Sequence, residues 1–181
     1  DDWAVIKTMR KIYELDLEET NVETISSNMM PKTICRVKLP HNLKSLEKQA
    51  LYQIPLIGTL EIPTSCTFIV SSAASGILID NLVLPDNGIE IGERAFFNCC
   101  DIEEVKLGYV KITGDQAFWS CKNLKTVILE DGCNITGKET FSGCYALEKI
   151  VINGDIENLG TQTFQISKED KSNIKKVTLN G

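Results

Sequence analysis

Apolar positions along this chain fall on a lattice with a step of 22 or 23 residues. Phe96, Phe118, Phe141 and Phe164 set the register, and Cys99, Cys121 and Cys144 follow three residues behind the first three. Next come Ile102, Leu124, Leu147 and Ile174, then Val105, Val127, Ile150 and Val177, then Leu107, Leu129, Ile152 and Leu179. Toward the N-terminus the phenylalanine and cysteine give way to Leu51 and Ile54, or to Ala74 and Ile77, while the aliphatic skeleton persists. The last column reads Leu17, Leu39, Ile62, Leu84, Leu107, Leu129, Ile152 and Leu179, with steps of 22, 23, 22, 23, 22, 23 and 27. Eight copies of one unit follow, with extra residues in "QISKEDKSN" stretching the last, as terminal repeats commonly are atypical.

Each copy predicts the same local elements. The Val-x-Leu part alternates with period two, so it reads as a short strand with two aliphatics inward and the middle side chain outward. Pro40, Pro63 and Pro85 follow it directly, and Asn87-Gly88 and Asn153-Gly154 supply turn chemistry. A second extended piece, "IEIG" or "KITG", precedes the phenylalanine, and the span from Phe to Cys predicts one helical or 3-10 turn. At the start, "DDWAVIKTMRKI" places acids first and Lys7, Arg10 and Lys11 later, which suits a helix dipole. Val5, Ile6, Met9 and Ile12 share one stripe there, so this segment is expected to be a helical cap with Trp3 packed beneath it, rather than a partner-binding helix.

No single copy can bury its own apolar side, so stacking must supply the core, with parallel strands ~4.8 Å apart. The expected class is α/β: a right-handed solenoid of about eight repeats, with a short parallel sheet on one face and helical or 3-10 turns opposite. One domain spans 1–181, with the cap and first strand in 1–24, central repeats in 25–158 and the atypical last repeat in 159–181. Phe96, Cys99, Phe118, Cys121, Phe141, Cys144 and Phe164 are its expected structural core.

The stretch "LKTVIL", with Leu124, Val127 and Leu129, resembles the heart of a leucine-rich repeat. The longer "ITGDQAFWSCKNLKTVIL", with Ile112, Ala117, Phe118 and Cys121, resembles the BspA-like leucine-rich repeats of bacterial surface proteins. Ile91-Gly92, Ala95-Phe96, Asn98-Cys99, Phe141 and Gly143-Cys144 carry the same likeness. The resemblance implies a cell-surface or secreted protein of a host-associated bacterium, used for adhesion and protein binding without cofactor or catalysis. The first residues lack the basic start and apolar centre of a signal peptide, and a chain opening at Asp1 reads as mature or trimmed, with any signal or lipid anchor removed.

Composition narrows the function further. The 181 residues are 43% hydrophobic and 24% charged, a globular balance. A net charge of −6 opposes binding to nucleic acid, and no apolar run reaches the roughly 18 residues that would insert in a membrane. Seven cysteines without a C-x-x-C pair indicate neither a full disulfide framework nor a common zinc site. Cys99, Cys121 and Cys144 read as small core residues on adjacent rungs, where only geometry decides on a disulfide. Cys100 and Cys133 fall outside the columns and are the candidates for exposed thiols. His41 is the sole histidine, with no nucleophile placed beside it by motif, so no catalytic, metal or cofactor residues are assigned. The sequon Asn134-Ile135-Thr136 carries no weight in a bacterial protein.

The outward strand column reads Asp16, Lys38, Glu61, Val83, Lys106, Ile128, Val151 and Thr178. Ile128 and Val151 stand where a solvated sheet would be polar, flanked by Lys125, Lys149, Lys175 and Lys176. Val83, Lys106, Ile128, Val151, Lys125, Lys149 and Lys176 are therefore the candidate ligand-binding residues. An apolar pair beside lysines suits an acidic protein or sulfated glycan; a neighbouring domain or another copy of the chain would satisfy it equally. The leading expectation is a non-enzymatic module that adheres to host protein or glycan. The alternative is a structural spacer or assembly domain of a longer surface protein, since the chain ends just after a strand and leaves a possible open edge.

Overall fold

The computed structural model describes residues 5, 6, 8, 11–165 and 174–180. In chain order the strands are β1 (Glu14–Asp16), β2 (Thr24–Ile25), β3 (Arg36–Lys38), β4 (Ser45–Leu46), β5 (Thr59–Glu61), β6 (Phe68–Ile69), β7 (Asn81–Val83) and β8 (Ile89–Ile91). They continue as β9 (Glu104–Leu107), β10 (Val110–Ile112), β11 (Thr126–Leu129), β12 (Asn134–Ile135), β13 (Lys149–Asn153), β14 (Asn158–Leu159) and β15 (Lys176–Asn180). Every pairing is parallel and joins a strand to the second one after it, so the chain winds as a solenoid. Odd strands carry the Val-x-Leu pattern, with Val105, Val127, Ile150 and Val177 side by side and Leu107, Leu129, Ile152 and Leu179 beside them.

The second extended piece of each copy builds more sheet than the sequence suggests. Even strands β2 to β14 form one continuous seven-stranded sheet, whereas the odd row is split into β1-β3, β5-β7 and β9-β11-β13-β15. The winding amounts to about seven turns rather than eight. Proline controls strand length in the odd row. Strands that run into Pro40, Pro63 or Pro85 stop at three residues, because proline has no N–H to donate. Where Glu130 stands instead, its N–H reaches the Leu107 carbonyl at 2.8 Å, and β11 runs to four residues.

The expectation of an α/β fold with helical turns is corrected: among the described residues helix is almost absent, and the Phe-to-Cys span is a non-helical turn. Its alternate amides donate to the next rung, as Phe96 N to Ala117 O at 2.8 Å and Phe118 N to Thr140 O at 2.9 Å. A helix would need every amide for itself. Left-handed residues bracket each such turn, among them Arg94 (φ 53°) and Asn98 (φ 56°), then Gln116 (φ 60°) and Ser120 (φ 61°). These conformations cost of order 1–3 kcal/mol each, and the inter-rung hydrogen bonds offset them. The glycines of the same region permit the close stacking: a Cβ at Gly137 would lie 2.1 Å from the Gly114 carbonyl oxygen. Of the expected N-terminal cap, Val5, Ile6 and Thr8 have helical backbone, but Val5 is exposed. Trp3, Lys7, Met9, Arg10 and most of "QISKEDKSN" lie outside the described residues.

The core is a pillar of rings. Phe96, Phe118, Phe141 and Phe164 stack with centroids 5.1, 5.3 and 5.5 Å apart and near-parallel planes. The first three are fully buried, whereas Phe164 is only partly so. The cysteine column has a hydrogen-bonding role beside it. The Cys99 thiol donates to Ala74 O at 3.2 Å, Cys121 to Phe96 O at 3.4 Å and Cys144 to Phe118 O at 3.4 Å. A small apolar side chain with one weak donor thus satisfies a carbonyl buried one rung back.

Phe118→Ala is expected to destabilise the chain by roughly 3–5 kcal/mol; an unchanged denaturation midpoint would contradict the ring pillar. Cys121→Ala should cost about 1–3 kcal/mol, because it leaves the Phe96 carbonyl buried without its donor. Cys121→Ser, which keeps a donor of similar size, should lose less, as read from the midpoints of urea titrations.

Candidate functional site

The outward face of the odd strands brings most of the sequence-selected residues together. Lys106, Ile128, Val151 and Thr178 lie in one hydrogen-bonded row across β9, β11, β13 and β15. Ile128 and Val151 are half-buried and side by side in register on this face. Lys149 and Lys176 pair in register one row over, beside Thr126. Val83 continues the Lys106 row on β7 and is 40% exposed, but no ladder joins β7 to β9. Lys125 precedes its strand and stays outside the row.

The flanking lysines are largely matched from within. Lys125 Nζ lies 2.7 Å from Glu103, Lys175 Nζ 2.6 Å from Glu148 and Lys106 Nζ 2.9 Å from Glu130. At the other end of the row Lys38 is held by Asp16 and Glu18, both at 3.0 Å. The bonded Glu130 raises the affinity of Lys106 for its proton, and Lys106 holds the Glu130 carboxyl below the usual range, aided by a hydrogen bond from Asn153. Lys149 and Lys176 have no ion pair among the described residues.

Sequence reasoning missed the concave part of this face. A trough of about 1000 Å³ opens between β7 and β9, with Val83, Leu84 and Pro85 on one wall and Tyr109 on the other. Four carboxylates line it, from Asp86, Glu104, Glu130 and Asp131, against the single ammonium of Lys106. A second depression of about 690 Å³ adjoins it and shares Val83 to Asp86. Tyr109 spans two rungs, held by glycines whose backbones approach the ring. A Cβ at Gly88 (φ +78°) would lie 2.9 Å from its Cε1, and one at Gly132 (φ +74°) 3.1 Å from its Cδ2. Asp86 accepts a hydrogen bond from the Tyr109 amide, and Asp131 Oδ1 accepts one from the Asp155 amide at 2.9 Å. The signal was present two residues beyond the leucine column, where Asp86, Tyr109 and Asp131 follow one another.

The remaining candidates lie elsewhere. All seven cysteines are free thiols. Cys133, expected at the surface, is fully buried, and burial pushes its thiol up to about 12; Cys100 and Cys35 are half-buried. Cys99 is likewise pushed up to about 12 by burial, and Cys121 is raised by the neighbouring Cys144 thiol and by burial. Such thiols react slowly, since the thiolate is the nucleophile. His41 is exposed, with Nε2 3.8 Å from Glu19, while the nearby Ser65 hydroxyl lies 2.6 and 2.7 Å from the carbonyls of His41 and Leu43 and shares its one proton between them. Among the described residues no group of three His, Cys, Asp or Glu side chains could hold a metal ion, and no helix is long and apolar enough to cross a membrane. On the turn side, Phe97 and Trp119 stack at 5.0 Å with Arg94 over Phe97 at 5.7 Å, an aromatic pair largely satisfied by its own neighbours.

A search of the curated proteins finds no match to the chain. The family model for the BspA type Leucine rich repeat region matches in six copies, over residues 7–113 and 57–170. Solenoids of this kind serve as extended surfaces for binding other proteins. With the register, the parallel winding and the glycine, phenylalanine and cysteine columns accounted for physically, the chain belongs to the BspA-type leucine-rich repeat family.

Proposed function

We propose that this chain is a non-enzymatic recognition module, displayed on a bacterial surface or secreted, that adheres to a host protein or glycan through the outer face of its odd strands. The observation that supports the reading is the pair Ile128 and Val151, side by side in register on the solvent side of a four-stranded parallel sheet. Aliphatic side chains on such a face lose water favourably when a partner covers them, at about 25 cal/mol per Å². Thr126, Lys149 and Lys176 border the pair with groups able to hydrogen-bond or pair with a ligand. A rigid repeat core also suits recognition, because the face is held in its binding shape before the partner arrives.

A second reading, a spacer or assembly domain, is favoured by a different observation. Leu159, Val177 and Leu179 are 48%, 56% and 73% exposed on β14 and β15, the last described strands of their sheets. An apolar rung of this kind suits coverage by a further repeat, another domain or a second copy.

Solid-phase binding to extracellular-matrix proteins, mucins and sulfated glycans separates the two. The native chain should bind selectively, and Ile128→Asp with Val151→Asp should reduce that binding at least tenfold while circular dichroism remains unchanged. Absence of binding by a folded native chain would favour the spacer.

A further inference from the structure

The trough between β7 and β9 differs in chemistry from the Ile128–Val151 patch on the same face. β7 and β9 pack side by side yet belong to different sheets, so the depression lies at a break in the strand ladder. Its accessible apolar surface is Val83, with half-buried Leu84 and buried Pro85 behind it, and Tyr109 on the next rung is exposed as well. Its charge is unbalanced: four carboxylates share the one ammonium of Lys106, which is ion-paired to Glu130 and also feels Asp86 and Glu104, and Asp86, Glu104 and Asp131 have no ion pair of their own among the described residues. Asp86 and Asp131 flank Tyr109 in the chain's own register, one rung before it and one after.

We infer that this trough docks an extended basic segment of a partner protein, with an arginine side chain over Tyr109 beside the Asp86, Glu104 and Asp131 carboxylates and an aliphatic side chain against Val83. Arginine suits the place for two reasons. Its planar guanidinium stacks on an aromatic face, and its fork of N–H donors can reach more than one carboxylate at once. The glycines at 88 and 132 fix the ring position, so little order has to be imposed on binding. An acidic ligand would meet like charge over most of the trough and is better matched by Lys149 and Lys176 at the other end of the face. The inference rests on the strand face being the recognition surface, and names the partner chemistry for one part of it.

The test uses the full chain and a fluorescein-labelled peptide alternating arginine and valine, with a matched glutamate–valine peptide as control. Asp86→Asn, Glu104→Gln and Asp131→Asn are combined in one variant; each amide keeps an oxygen acceptor, so the bonds to the Tyr109 and Asp155 amides survive while the charge goes. Fluorescence anisotropy should show binding of the arginine peptide alone, weakened at least tenfold in the triple variant and weakened by raising salt from about 0.05 to about 0.5 M. No binding of the arginine peptide, equal binding by the triple variant, or equal binding of the glutamate peptide would each overturn the inference. The Ile128→Asp, Val151→Asp protein keeps the trough, so a matrix or glycan ligand lost only in that protein leaves the wider strand-face reading standing when this inference fails.

Discussion

Everything in this molecule depends on each rung passing its backbone hydrogen bonds to the next. The sheets do this in the ordinary parallel manner, but the phenylalanine turns do it as well, through three amides per rung such as those of Arg94, Phe96 and Asn98. That third ladder forces left-handed backbone at residues with side chains, a conformation that most L-residues avoid. It also demands a close approach that only glycine permits at positions such as Gly137. The ring pillar, the thiol-to-carbonyl bonds and the glycines are answers to one requirement: three backbone ladders must share one repeat distance.

A scaffold built in this way separates stability from recognition. The inward columns are almost wholly committed to neighbours one rung away, so substitutions there act on folding. The outward columns vary from rung to rung, and a ligand-specific surface can therefore change without disturbing the core. The breaks in the odd row matter for the same reason. Where ladder pairing lapses, the face becomes concave, and the side chains lining the gap are released from pairing geometry.

Charge is distributed along the face with some order. Lys38 and Lys106 of the outward row, and Lys125 and Lys175 beside it, are engaged by acids within one rung, which keeps them from acting as a general anion-binding surface. Unpaired charge of one sign gathers in two places: carboxylates around Tyr109 in the middle of the face, and Lys149 with Lys176 toward its C-terminal end. A net charge of −6 hides this division, since a whole-chain sum carries no positions.

The sequence by itself determined the register. Because one rung must lie over the next, the columns from Leu17 to Leu179 had to recur at a nearly constant step, and the strand pairs Val105–Val127 and Val127–Ile150 reproduce that step. It did not reveal the turn conformation, since Phe-x-x-Cys fits a helical turn as well as a ladder of alternate amides; the competition between local and inter-rung hydrogen bonds is settled only when the neighbouring rung is present. Cys133 shows the same limit: it stands just before β12, in line with Val110 and Ile89 of the second sheet, and is fully buried in that inward column. The trough was likewise undecided by sequence. Its residues Asp86, Tyr109 and Asp131 recur in register, but whether they line a concavity depends on where the strand ladder breaks, and that is a property of the stacked chain.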